Sequence, residues 1–118
     1  MPTMMRDTIK RHADFATGDD APTARCAYFL VRAKPAKYPE DARYGMIVTK
    51  KTFKHAVDRN RAKRVLRDWI AHNEDMMQNA WDYIFVIRRD ILIADRQSGR
   101  VAMKKALNYL SKLINNAE

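Results

Sequence analysis

The sequence predicts one mixed α/β domain, and three observations carry that prediction. Short apolar runs rich in aromatic and branched residues recur at 27–33, 44–49 and 82–89, the signature of strands. Two longer stretches, about 57–72 and 98–116, repeat their apolar residues at helical spacing. The succession strand, helix, strand (44–49, 57–72, 82–88) implies parallel neighbours joined by a crossover. A chain of 118 residues suits one domain, and its 47% apolar content supplies a core.

Residues 4–15, MMRDTIKRHADF, read as a short helix, with Met5, Ile9 and His12 at helical spacing and Phe15 closing the stretch. TGDDAPTAR follows and is turn-like, with Gly18, two aspartates and Pro22. AYFLVRA (27–33) is a strand, KPAKYPEDAR a loop carrying Pro35 and Pro39, and YGMIVT (44–49) the next strand. A basic helix spans about Val57 to His72, with Asp58 in its first turn, where a negative charge suits the helix dipole. DYIFVIRR (82–89) is apolar almost without interruption, as a strand buried on both faces would be. The last helix places Val101, Ala106, Leu107, Leu110, Leu113 and Ile114 on one stripe, with Ser98 as N-cap. The order is helix, strands, helix, strand, helix, with three main strands and at most a fourth. Internal repeats, low-complexity tracts and linkers are missing from the pattern.

Several function classes drop out. No apolar run approaches the ~18 residues of a membrane span, and MPTMMRDTIKRHADF lacks the apolar stretch of a secretory signal. Cys26 is the single cysteine, so no internal disulfide forms, and a reducing, cytoplasmic setting is the simplest reading. His12, His55 and His72 have neither metal-ligand spacing nor cysteine companions. A Gly-rich phosphate loop and a Ser/His/Asp arrangement are both lacking. Asp14, Asp19 and Asp20 fall in turn-like sequence, and Met4, Met5, Met76 and Met77 read as packing residues. The expectation is a protein without catalytic residues, metal ligands or cofactor site of its own.

The charge is the informative feature. The formal net charge is +9. Residues 50–67 hold Lys50, Lys51, Lys54, Arg59, Arg61, Lys63, Arg64 and Arg67 against Asp58 alone, so this window carries most of the excess. Such a patch attracts polyanions. An anionic membrane surface would need large apolar residues on the helix free for lipid, and here they are committed to the core. With ~100° per residue, Arg59, Asn60, Arg61, Lys63, Arg64 and Arg67 share one side. Asp58, Ala62, Val65, Leu66 and Trp69 fill most of the remaining circle, with Ile70 at its edge. A solvated helix face usually mixes charge signs. Arg59/Lys63 and Lys63/Arg67 are instead like-charge i,i+4 pairs, which cost about 1 kcal/mol in total. Asn60, a poor helix former, can donate and accept hydrogen bonds at a phosphate, sugar or base edge. Arginine's planar fork suits phosphate or guanine. An extended anionic partner, nucleic acid above all, explains the patch better than solvation or a single small phosphate.

These residues resemble a known family, the bacterial ribonuclease P protein component. KKTFKHAVDRNRAKR (50–64) is similar to its pattern of a lysine pair, a short connection and R-N-R-x-K-R. IKRHADF (9–15) is similar to its Leu-x-x-x-x-Asp/Glu-Phe signature, and YFLVRAKP, YGMIVTKK and DYIFVIRR to its strands. The resemblance runs from about residue 9 to 114. Three departures stand out. The connection Thr52-Phe53-Lys54-His55 has no glycine and is one residue longer than in many members. Asp19 and Asp20 occupy the region where a second aromatic often sits. Arg32 takes a strand position that is often aromatic.

The resemblance implies an αβββαβα sandwich with the fold of ribosomal protein S5 domain 2 and a left-handed βαβ crossover, whereas general rules favour the right-handed one. It implies an accessory subunit of a ribonucleoprotein endoribonuclease, in which the RNA and its magnesium ions cut the 5′ leader from precursor tRNA. Lys50, Lys51, Lys54, Arg59, Asn60, Arg61, Lys63, Arg64 and Arg67 would bind RNA, and a cleft with Phe15, Arg32 and Lys51 would hold the single-stranded leader. A base could stack on Phe15; a plain core residue capping the first helix is the other reading. The partners implied are ribonuclease P RNA and precursor tRNA, one protein per RNA, with no membrane. A ribosomal protein or RNA chaperone would explain the charge but not the linked signatures. A DNA-binding helix lacks a preceding helix to form a helix-turn-helix, and a stand-alone nuclease lacks catalytic groups.

Overall fold

The computed structural model describes residues 7–9, 20–38, 40 and 42–116. In chain order the elements are β1 (Asp7–Thr8), β2 (Thr23–Arg25), β3 (Phe29–Pro35), β4 (Arg43–Ile47), α1 (Ala56–His72), β5 (Trp81–Ile87) and α2 (Arg96–Asn116). Short 3₁₀ turns lie at Glu74–Met76 and Arg89–Ile93. The sheet order is β1-β4-β5-β3-β2. β4 runs parallel to β5 with Ile47 opposite Val86, as the strand–helix–strand pattern requires, and β3 pairs antiparallel with β5 and β2. The result is a mixed α/β domain with two long helices.

The helix expected at 4–15 is corrected where it can be seen. Asp7 and Thr8 pair in parallel with Arg43 and Tyr44, and the Ile9 N–H donates to the Tyr44 carbonyl at 2.8 Å. Strand β4 has β5 on its other side, so this pairing covers a ladder edge that would otherwise stand open. Tertiary hydrogen bonding thus overrides a helical spacing built on only three positions. The rest of that stretch, with His12 and Phe15, lies outside the described residues. β2 is also a strand, inside the region expected to be turn.

Alternation along β3 separates two faces. Phe29, Val31 and Ala33 are buried, while Leu30, Arg32 and Lys34 are half-buried on the other side. Register puts Phe85 and Tyr83 of β5 on the same face as Val31 and Ala33. Phe29 meets Phe85 edge-on, with centroids 5.6 Å apart. These residues form one apolar cluster with Leu66 and Trp69 of α1 and Met103, Leu107 and Leu110 of α2. β5 is buried nearly throughout, as expected, except that Val86 is exposed. Asp82 is buried completely; its Oδ1 accepts the Arg43 backbone N–H at 2.7 Å and its Oδ2 lies 3.5 Å from the Arg43 guanidinium. Such a carboxylate is tolerated because it is paired, and it ties the start of β4 to β5.

Side chains shape the start of α2 and the end of α1. Asp95, not Ser98, caps α2: its Oδ1 accepts the Ser98 N–H and its Oδ2 the Ser98 hydroxyl, both at 2.8 Å. These bonds, the backbone one foremost, hold the Asp95 carboxyl below the usual carboxylate range. The carboxylate is the better acceptor for an orphan helix N–H, and Ser98 sits three residues on as its donor. On the apolar stripe, Leu107, Leu110 and Ile114 are buried as expected, Val101 is exposed, and Met103 and Gly99 are buried in addition. At the end of α1, buried Asn73 donates from Nδ2 to the carbonyls of Trp69 and Arg100, both at 3.1 Å. That side chain ties the two helices together.

Helix α2 approaches α1 through Gly99. A Cβ at Gly99 would overlap the indole of Trp69, which is itself 1% exposed and has no free direction to move. Alanine is the better helix former by about 1 kcal/mol, but overpacking costs about 1–3 kcal/mol and sometimes more. Gly99→Ala is expected to lower stability by about 2 kcal/mol, read as a lower urea midpoint at unchanged slope; an unchanged or higher midpoint would contradict this packing.

Candidate nucleic-acid interface

Helix α1 forms from Ala56 because residues 56–72 contain no Gly or Pro and one stripe is apolar. Ala62, Leu66, Trp69 and Ile70 are buried. That burial turns the opposite side outward. Asn60, Arg61, Arg64 and Arg67 are exposed, and Lys63 is half-buried. The cationic face expected from the sequence therefore exists. Among the described residues no carboxylate pairs with Lys50, Lys51, Lys54, Arg61, Lys63, Arg64 or Arg67.

Arg59 departs from the rest. It is half-buried, and its Nη1 donates to the Phe53 carbonyl at 2.8 Å and to the Lys54 carbonyl at 3.4 Å. At least part of its hydrogen-bonding capacity is spent inside the protein. Arg89, on the far side, donates from Nη1 to the Thr52 carbonyl at 3.3 Å. Between the two guanidiniums runs the glycine-free connection from β4 to α1. The Thr52 backbone N–H donates to Thr49 Oγ1 at 3.2 Å, the two hydroxyls lie 3.0 Å apart, and the Phe53 N–H donates to the Thr49 carbonyl at 2.9 Å. Phe53 itself is wholly buried. The connection is thus a built loop, anchored at its centre, that holds Lys50, Lys51 and Lys54 exposed.

Arg89 was not singled out from the sequence, where it closes an apolar run. The parallel register explains its place. Ile47 lies opposite Val86, so three residues further on Arg89 comes level with the connection. Arg96 was missed as well. It lines a hollow of about 370 Å³ with Arg64, Val65, Asp68, Trp69 and Ala94. Thirty-two positions separate Arg64 and Arg96, and no local pattern links them. Asp68, the acid in this hollow, is engaged elsewhere: Arg100 donates to it twice, Nε to Oδ2 at 3.2 Å and Nη2 to Oδ1 at 3.0 Å. That two-pronged bond, helped by the charges of Arg100, Arg96 and His72, holds the Asp68 carboxyl below the usual range. Asp68 therefore does little to cancel the charge of Arg64.

Two of the three residues assigned to the leader cleft can be placed. Arg32 lies on the sheet face away from α1 and α2, between Thr23 and Ile84 in the register, while Lys51 sits in the connection. Phe15 lies outside the described residues. No group of three or more His, Cys, Asp or Glu converges to hold a metal ion among the described residues. No helix among them is long and apolar enough to cross a membrane.

This architecture and ridge define a mixed α/β domain with a cationic helix, and the comparisons place it. The Ribonuclease P family profile matches residues 4–111, so the chain belongs to the ribonuclease P protein family. A ribonuclease P protein component from Marinomonas sp. is 36% identical over 84 residues, 71% of this chain and 62% of that protein. One from Pseudomonas paraeruginosa is 31% identical over 81 residues, 65% of this chain and 57% of that protein. The match thus spans somewhat over half of each relative's length. The solved structure of the Staphylococcus aureus RNase P protein superposes with a TM-score of 0.63 at 23% identity, covering 93% of this chain and 96% of that one, which shows a shared fold.

The Asp68–Arg100 pair offers a pH test. A carboxyl held low when folded stabilises the protein wherever the unfolded carboxyl is ionised, above about pH 4. That contribution fades as pH falls through the folded value. With both side chains partly exposed, the effect is that of a surface pair. Asp68→Asn is expected to lower the melting temperature by about 1–4 °C at pH 7, with the gap closing below pH 4. An equal gap at pH 3 would show that the pair does not act through charge.

Proposed function

We propose that this protein is the RNA-binding subunit of ribonuclease P, which docks on the catalytic RNA and helps it remove the 5′ leader of precursor tRNA. The observation that carries the reading is the ridge: cations on one face of α1 and on the connection before it, without acidic partners among the described residues. In isolation these charges repel. Against RNA, each cation that meets a phosphate releases counterions. Arg61, Arg64 and Arg67 are the first contacts on this reading, with Asn60 between them for a sugar or base edge. Lys50, Lys51 and Lys54 extend the contact, and Lys63 lies at its margin. Arg59 acts chiefly from behind, holding the lysine-bearing connection. Hydrolysis belongs to the RNA. Magnesium, a hard cation that takes oxygen ligands, belongs with RNA phosphates on this reading. The protein lowers phosphate repulsion between catalytic RNA and substrate. Arg32 and Lys51, with Phe15, are proposed to contact the leader. One protein per RNA in the cytoplasm completes the proposal.

Reconstitution tests it. The protein alone is expected not to cleave precursor tRNA, and its addition to the cognate RNA is expected to restore cleavage at low magnesium. Cleavage by protein alone would sink the reading. Failure to stimulate the RNA would point instead to a ribosomal or chaperone role. Salt measures the ridge independently: six phosphate contacts on duplex-like RNA give a slope of log K against log salt near about −5. Arg61→Ala is expected to reduce that slope by about one, and a parent slope near about −1 would mean a mostly solvated face.

A further inference from the structure

A second surface, away from the ridge, has the chemistry of a nucleotide site. A groove of about 590 Å³ runs between α2 and the turn that joins β2 to β3, a volume in the range of small-ligand sites. Tyr28, Val101 and Tyr109 line it, and two cations, Arg25 and Lys105, stand at its rim. Tyr109 is 54% exposed and Val101 41%, although both belong to a helix whose other large apolar residues are covered. Ala102 and Ala106 make the helix wall shallow beside them. The ring of Tyr28 is braced edge-on against Trp69 at 5.5 Å. Among the described residues no Asp or Glu lines the groove, and neither Arg25 nor Lys105 has an ion-pair partner.

We propose that this groove binds a single-stranded RNA segment, a base stacking on Tyr109 or Tyr28 with the adjoining phosphates on Arg25 and Lys105. A planar ring over a shallow wall of alanines fits a base. Paired bases are hidden in their stack, so only an unpaired strand can reach the tyrosines. Two cations with no carboxylate beside them among the described residues suit a polyanion. A second copy of this +9 chain would bring like charges together there. The groove's floor is on the other side of the sheet from Arg32, because Ala24 is paired with Val31 on the helix-bearing face, while Arg25, at the sheet edge, is paired with Leu30 of the Arg32 face. The proposal rests on the RNA-binding reading for its class of ligand alone.

Cys26 is the chain's single cysteine, is half-buried and lines the groove, so its alkylation by iodoacetamide reports occupancy. With the full chain, single-stranded penta-adenylate is expected to slow alkylation several-fold, and a hairpin duplex to leave it unchanged. Protection is expected to survive R61A/R64A and to need about tenfold more oligonucleotide in Y109A/K105A. Catalytic RNA should bind Y109A/K105A as it binds the parent, so failure of the groove and failure of the ridge read out separately. The proposal is overturned if alkylation is unchanged at oligonucleotide concentrations that saturate the protein by anisotropy. It is equally overturned if protection vanishes in R61A/R64A but persists in Y109A/K105A. Slowing by protein concentration alone, or by an acidic peptide and not by RNA, would assign the groove to another occupant.

Discussion

Burial of Leu66, Trp69 and Ile70 sets the direction of every cation on α1, and the rest of the interface depends on it. Full burial of such side chains contributes about 1.5–3 kcal/mol each, so the three outweigh the ~1 kcal/mol of like-charge repulsion on the opposite side. The helix can therefore hold repelling charges in register without a protein partner for them. Trp69 matters most, since it is gripped from three sides. Gly99 lets α2 close on its ring, Tyr28 meets it edge-on, and its carbonyl accepts from Asn73.

A second constraint acts on the connection before the helix. A glycine at this point would let the chain turn by backbone freedom. Here the turn is made by hydroxyl-to-backbone bonds, a buried phenylalanine and two guanidiniums that donate to three successive carbonyls. Hydrogen bonds from charged donors are stronger than neutral ones. The lysines are consequently carried on an ordered support, which lowers the entropy they would lose on meeting an anionic partner. Arg59 connects the two features, because it belongs to the ridge by sequence and to the support by contact.

Charge is also distributed by what has been neutralised. Asp68 could have faced Arg64 across their shared hollow; instead Arg100 takes it in two bonds. Asp82 is taken by Arg43 in the sheet. Among the described residues, pairing these acids on the sides and interior leaves the outer face of α1 of one sign. A single carboxylate beside such a patch would weaken its attraction for a polyanion.

The sequence by itself determined the α/β class, the parallel β4–β5 pair, the span of α1 and its two faces, because each follows from periodicity along a continuous stretch. It also located the ridge, since those cations are near one another in the chain. What it misplaced depended on partners distant in sequence. Asp7 and Thr8 became strand because the edge of β4 was open, and a short helical spacing could not compete with that ladder. The cap of α2 went to Asp95, whose carboxylate could reach both donors of Ser98. Arg89 came beside the connection through strand register and Arg96 beside Arg64 through helix apposition, and Tyr28 and Tyr109 line one groove though some eighty residues separate them. Only the tertiary structure could decide these, because contacts that close long loops leave no local repeat for the sequence to display.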